Sequence, residues 1–493
     1  MDNIENLESY RMYRDACIGD EFMEPVSELT EPNVEDLVKE AEFPLYTGCP
    51  STKMSATVMF YKFKAKNSLT DDGYEELLKM VRSLLPPDNL LPSSLSSTKK
   101  LLKAFDLGYE KIHACVNDCC LFRKKLEKVE TCPTCDASRW KVNKHTQKIE
   151  EGVPAKVLRY FPIIPRFRRM FKDSEKAEQL TWHHTHKSQD GKMRHPVDSL
   201  AWKKVDSKWP SFAKDPRNLR LGFSADGFNP FGDRNSQYSC WPVTLVAYNL
   251  PPSLCMVKEH LLLTLLIPGP KQPGNNIDVY LEPLIEDLKE LWVNGVSTYD
   301  AFTKSTFNLK ALLLWTINDF PAYGNLSRYS THGRKACPVC GVQTSSQWLP
   351  NGRKHAFMCN RRFLAHDHPY RYNKTWFDGT EEHRVRPRKL TGSEVFQVVK
   401  NIRNEWGKKV GSCTRKKKKK VGISNNRKRR RNGVKKSLAN EIDADSCEKS
   451  DDDGDDDSDD PLKPSKRWKK KSIFFELPYW EVRFTSFYFI KVC

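Results

Sequence analysis

The chain has 493 residues, enough for about three ordinary domains and a sizeable core. Apolar residues make up 38% and charged residues 29%, and Pro (30) outnumbers Gly (23), which excludes a collagen, a short disulfide scaffold and a wholly disordered chain. The formal charge is +19, yet residues 1–45 hold 13 acids against 3 basic residues, so the remainder carries about +29 and is suited to a polyanion such as nucleic acid.

No run of 18 apolar residues occurs, and the start (MDNIENLESYRMYRDA) lacks the basic-then-apolar layout of a leader. Neither a membrane-spanning nor an exported protein is expected. Fifteen cysteines in such a chain are expected as thiols or metal ligands rather than disulfides.

Residues 1–45 read as an acidic, mobile start with one short helix at 33–41. A helical segment covers 46–110. Within it, LTDDGYEELLKMVRSLL (69–85) has helical apolar spacing, Thr70 as cap and Pro86 and Pro87 as stop. A Ser-rich loop and a short helix at 99–107 follow. Residues 111–142 form a cysteine-rich unit, and 150–215 a basic, aromatic-rich segment. Its RYFPIIPRFRRMF stretch suits either a nucleic-acid backbone or an exposed amphipathic surface.

The part from 216 to 400 reads as an α/β core. Strands are expected at 219–225, 240–248 and 259–267, a helix at 277–293 and a buried strand at 309–317. Short links between the first three strands permit an antiparallel meander, and the helix is a crossover that returns the last strand parallel to the first. Residues 408–467 read as a disordered linker. Its basic clusters, TRKKKKK and RKRRR, include Lys416, Lys417, Lys418, Arg429 and Arg430 and resemble a nuclear import signal, and an acidic run DDDGDDDSDD follows. The apolar stretch WKKKSIFFELPYW returns the chain to the core over 468–493.

Three groups carry chemistry. Cys115, Cys119, Cys132 and Cys135 form two close pairs a dozen residues apart, the spacing of a zinc ribbon in which four thiolates enclose one Zn2+; Cys120 competes for a place. Cys337 and Cys340 form a second pair, with His355, Cys359, His366 and His368 as candidate partners for another zinc. Asp226 and Asp319 each follow a strand. In the topology above those strands are adjacent and parallel, so both carboxylates reach one sheet edge, as Mg2+ (or Mn2+) requires for two-metal phosphodiester chemistry.

Several long motifs occur in order: KIHACVNDCC with CPTC and SRWK, LGFSADGFNPFG, LLLWTINDFPAYGNLS, ACPVC, RRFLAHDHPYR and WKKKSIFFELPYW. Through them, from about Leu45 to Trp480, the chain resembles the transposase of plant CACTA (En/Spm-type) DNA transposons. The resemblance implies an RNase H-like core of the DDE kind, with Asp226 and Asp319 as the first two catalytic acids, Trp315 and His368 as motif positions, and the Cys337–Cys340 pair inside the transposase domain. It further implies a nuclear protein with transposon ends as DNA partner, acting with itself or other transposon-encoded proteins. In the family a third acid follows LPYW in a segment reading roughly His-Ile-Glu-Lys-Asn. Here Trp480 leads into EVRFTSFYFIKVC, and neither Glu394, Glu476 nor Glu481 matches that motif. The expectation is therefore a truncated transposase of weak or no activity, the alternative being a non-catalytic, zinc-dependent DNA-binding or interaction protein.

Overall fold

The computed structural model describes residues 43–104, 109–143, 145–186, 188, 190–231, 238–331, 333–338, 340–357, 360–377, 379–388, 390–407, 467–468 and 470–479. The acidic start, the linker with its basic clusters, and Glu481 lie outside them.

Residues 43–104 fold as three helices: α1 (Lys53–Asn67), α2 (Asp71–Leu84) and α3 (Leu95–Ala104). Thr70 caps α2 by accepting from the Gly73 amide, Asp71 and Asp72 sit at the positive end of its dipole, and Arg82 lies in the last turn. Tyr74 and Leu78 of α2 meet Leu45, Ala56, Leu91 and Leu95 in a small core. The third helix starts four residues before the expected 99, because Ser94 and Ser97 exchange hydrogen bonds at its start and turn the Ser-rich loop into a helix entry. The first helix has no clean apolar stripe, so periodicity gave no signal for it.

The remaining strands are β1 (Glu110–His113), β2 (Trp140–Val142), β3 (Ile149–Pro154), β4 (Val157–Tyr160), β5 (Leu219–Ala225), β6 (Trp241–Ala247), β7 (Leu262–Ile267), β8 (Val296–Asp300), β9 (Ser305–Leu309), β10 (Ala311–Ile317), β11 (Ser346–Leu349) and β12 (Lys354–Phe357). Between and after them run α4 (Ile163–Lys172), α5 (Leu200–Lys208), α6 (Ile277–Val293), α7 (Phe320–Ser327) and α8 (Gly392–Val399).

Six strands form one mixed sheet in the order β1-β4-β7-β6-β5-β10. The pair β5–β10 is parallel and the other neighbours are antiparallel. The meander and the parallel return are thus both present, and α6 supplies the crossover, lying against β7 and β10. Leu281, Leu284, Leu288 and Leu291 of α6 are completely buried, each contributing about 1.5–3 kcal/mol by leaving water.

Three segments lie differently from their sequence reading. Residues 111–142 begin inside the central sheet, of which β1 is the edge strand. The RYFPIIPRFRRMF stretch turns its apolar residues inward and is not an exposed amphipathic surface. It contains the end of β4 and α4, whose Ile163, Phe167, Met170 and Phe171 enter the main core, while Arg166 donates to the Leu263 carbonyl. Aromatics spaced three and four apart are here a helix face. Finally, β8 and β9 form a hairpin between α6 and β10, with Val296, Thr298 and Asp300 alternating inward along β8.

Candidate active site and metal centre

Asp226 and Asp319 come together through strand register. Ile317 of β10 pairs with Ser224 of β5, so two residues further on Asp319 stands opposite Asp226 where both strands end. A bulge makes this possible. Leu313 faces Leu221 but Trp315 faces Gly222, so β10 holds one extra residue. Without it Asn318 would oppose Asp226. Asn318 instead bonds across the strands, its Oδ1 accepting from the Ala225 amide at 3.1 Å.

Aromatic groups fix the bulge. The Leu313 amide donates to the Tyr479 hydroxyl at 3.0 Å. Trp315 Nε1 donates to the Tyr248 hydroxyl at 2.9 Å. That hydroxyl lies over Gly222, where an added Cβ would come within 2.3 Å of it, so only glycine fits. Trp315 therefore braces the register, and Tyr479, from the LPYW stretch, does so from the other side of the chain.

Both carboxylates are exposed. Asp319 caps α7, its Oδ1 accepting from the Ala322 amide at 2.8 Å. Asp226 accepts from the Gly227 amide at 2.7 Å. Desolvation at the sheet rim raises the Asp226 pKa above the ordinary carboxylate value, and the charge of Asp319 adds to the rise. Two such carboxylates suit a hard divalent cation. Among the described residues no third His, Cys, Asp or Glu joins them at ligand distance. Glu394 closes the capping box of α8 with Thr391, and Glu476 pairs with Lys289 at 2.7 Å near the far end of α6.

The first cysteine group does assemble. The Sγ atoms of Cys115, Cys119, Cys132 and Cys135 all lie within 4.8 Å of one another, and this group could hold a metal ion. A tetrahedral zinc with Zn–S of about 2.3 Å sets sulfurs about 3.8 Å apart, so the donor set fits. The Asn117 amide and its Nδ2 donate to Cys115 and Cys135 sulfur at 3.3 and 3.4 Å. Burial pushes the Cys135 thiol up, but these and neighbouring hydrogen bonds outweigh it and bring its pKa down to about 7, whereas burial lifts Cys115 to about 11. Cys120 Sγ is 3.7 Å from Cys132 Sγ, close enough to compete. Gly407, at φ +102°, closes over the cluster, where a Cβ would sit 2.4 Å from Cys119 Sγ.

Asp118, in the first turn of this cluster and fully buried, accepts from Lys156 Nζ at 2.5 Å and from the Tyr280 hydroxyl of α6. The cysteine cluster is thereby tied to the core. Sequence reading had passed over Asp118, although an acid between paired cysteines was its visible signal.

Cys337 and Cys340 form a tight turn in which the Cys340 amide donates to Cys337 sulfur at 3.4 Å and Gly341 takes φ +54°. His366 and His368 are not gathered around it. His368 Nδ1 accepts from the Tyr370 amide at 3.2 Å, and His366 lies beside Tyr372. No second group of three or more ligand side chains converges among the described residues, and Cys359 lies outside them.

A comparison with curated protein sequences finds no match. Residues 190–402, a span that runs from before β5 to beyond α8 and contains Asp226, Asp319 and the Cys337–Cys340 turn, match the model of the transposase family tnp2, and this match supports a transposase-family protein.

Proposed function

We propose that the chain is a transposase-derived DNA-binding protein of a CACTA (En/Spm-type) element, built on an RNase H-like core of the DDE kind. The observation that carries this reading is the register of β5 and β10, which sets Asp226 opposite Asp319 at one end of a three-strand meander and its parallel return. Asp226 and Asp319 would hold Mg2+ or Mn2+, which supplies a polarised water and charge stabilisation for phosphodiester cleavage. Asp319 keeps one oxygen on its helix cap, so the pair provides few ligand oxygens. Two ions need more carboxylate than the described residues bring together, so weak cleavage is the expectation on this reading.

Cys115, Cys119, Cys132 and Cys135 would hold Zn2+ with four protein sulfurs, the donor set of a structural and not a catalytic zinc. Cys337 and Cys340 would contribute to a second zinc, with His366 and His368 moving to reach it. The net positive charge outside residues 1–45 suits DNA, with transposon ends as the target. The basic clusters at 414–431 suit nuclear import, and self-association or pairing with other transposon-encoded proteins belongs to the same reading.

A second reading, a zinc-dependent DNA-binding protein without nuclease activity, is favoured by the two-carboxylate site. Supercoiled plasmid carrying transposon ends, incubated with Mg2+ or Mn2+, separates the readings. Slow nicking by the wild type that Asp226→Ala abolishes supports the transposase chemistry. Equal background in both, with retained plasmid binding, supports the binding role, and failure of the wild type to bind DNA at all contradicts both.

A further inference from the structure

The insert that follows the Cys337–Cys340 turn carries a surface that the acid pair and the cysteine cluster leave unexplained. Residues 360–388 have little apolar core. Two buried arginines brace the loops instead. Arg361 Nη1 donates to the carbonyls of Tyr370, Arg371, Asn373 and Thr380, and Arg371 donates to those of Arg361, Leu364 and Arg384. With the backbone held this way, the large rings turn outward. Trp376 is 57% and Phe377 61% exposed, and Tyr370 is 47% exposed.

These rings are neighbours. Tyr370 lies 5.8 Å from Trp376 and 6.2 Å from Phe377, centroid to centroid, with His368 5.1 Å away on its other side. The Arg361 guanidinium stacks 4.7 Å from the Phe377 ring centre and stiffens it. Exposing contiguous aromatic surface is costly unless something covers it. The surroundings say what: residues 360–390 hold eight Lys and Arg against four Asp and Glu, and Arg386 is exposed with no partner among the described residues. Rigid, exposed rings interleaved with cations match the requirements of unpaired nucleotides, whose bases stack on the rings while the phosphates meet the charges.

Its position fits the same use. Arg362 bonds to the Gln343 carbonyl beside the cysteine turn, and the ring of Phe357, at the end of β12, lies 6.3 Å from that of Phe320, next to Asp319. The insert thus reaches the rim where the acids stand.

We propose that Tyr370, Trp376 and Phe377 form a stacking platform for unpaired DNA bases on the insert that reaches the rim of the acid pair. The proposal rests on the DNA-binding reading above. The platform would favour single strands or opened ends over closed duplex, because paired bases offer no free face.

The test uses the full chain with labelled oligo(dT) of about 20 nucleotides and a duplex of the same length, followed by anisotropy over a salt series. The double variant Trp376→Ala/Phe377→Ala is expected to lose roughly 10- to 100-fold in single-strand affinity, with duplex affinity and the salt slope unchanged, while Trp376→Phe retains most of it. Ultraviolet crosslinking of the wild type to an oligonucleotide containing 5-iododeoxyuridine gives a readout that does not depend on how a variant folds, and adducts are expected on Trp376 or Tyr370. Single-strand affinity unchanged in the double variant, an equal loss on both DNAs, or adducts confined to other parts of the chain would overturn the platform while leaving the DNA reading intact. A wild type that binds neither DNA overturns the DNA reading itself.

Discussion

Replacing Cys132 by Ser is expected to abolish metal binding by the four-cysteine cluster and to melt the sheet edge beside it. Structural zinc contributes on the order of 10–16 kcal/mol in small zinc peptides, comparable to the whole stability of an ordinary domain. The damage should spread, because Cys115 stands two residues after β1 and Asp118 binds Lys156 and, on α6, Tyr280. Metal analysis of the purified wild type should give one zinc for this cluster, absent from Cys132→Ser, with a large drop in melting temperature. Cys120→Ser should keep both metal and stability. Zinc retained by Cys132→Ser, or lost only from Cys120→Ser, would show that the ligand set is wrong.

Asp278→Ala should be the most damaging single change away from the cysteines. Asp278 at the start of α6 and Arg328 at the end of α7 are both completely buried. They pair through two contacts, Arg328 Nε donating to Asp278 Oδ2 at 3.1 Å and Nη2 meeting the other oxygen. Asp278 also accepts from the Ile473 amide at 2.9 Å, so it anchors the returning segment that bears Tyr479. Removing the carboxylate leaves a buried guanidinium unpaired, at a cost of about 3–5 kcal/mol. Denaturant unfolding should register that loss, and the double replacement Asp278→Leu/Arg328→Met should recover much of it. A single variant as stable as the wild type would mean that water reaches the pair.

Local signals explain which parts of this architecture sequence reading reached. The strand at 219–225 and the helix at 277–293 were legible to the residue, because the strand alternates apolar and polar residues up to Asp226 and the helix keeps apolar spacing of three and four. Thr70 marked the start of α2 through its acids at the next two positions. The short strands β1 and β4 were not legible, since four residues gain their identity from the neighbours they pair with, and those lie far away in the chain. Arg220 shows the same limit. It reads as a surface residue, yet in β5 it is buried between Trp202 and Phe212 and paired with Asp206.

The candidate acid site was half legible. Two aspartates at the ends of adjacent parallel strands followed from topology alone. The bulge at Leu313–Trp315, which decides that Asp319 and not Asn318 faces Asp226, had no signature in the sequence, because it depends on a hydroxyl from Tyr479 more than 160 residues away. The four cysteines were legible from spacing. Near Cys337 residue type alone pointed to His366 and His368, and in this structure His368 caps the short helix at Pro369–Tyr372.

The most direct measurement is Mn2+ binding followed by electron paramagnetic resonance, on the wild type, Asp226→Asn and Asp319→Asn. Asparagine at 319 can still cap α7, so a loss there reports on charge and not on folding. The account predicts one ion held by the pair, weakened at least about tenfold in either variant. It also predicts a pH dependence. A raised Asp226 pKa means that protons displace the ion at a higher pH than for an ordinary carboxylate, so affinity is full near neutrality and is lost on acidification earlier than an ordinary carboxylate site would lose it. Mn2+ bound equally by all three proteins, and with no such loss on acidification, would contradict a shared ion at the sheet rim.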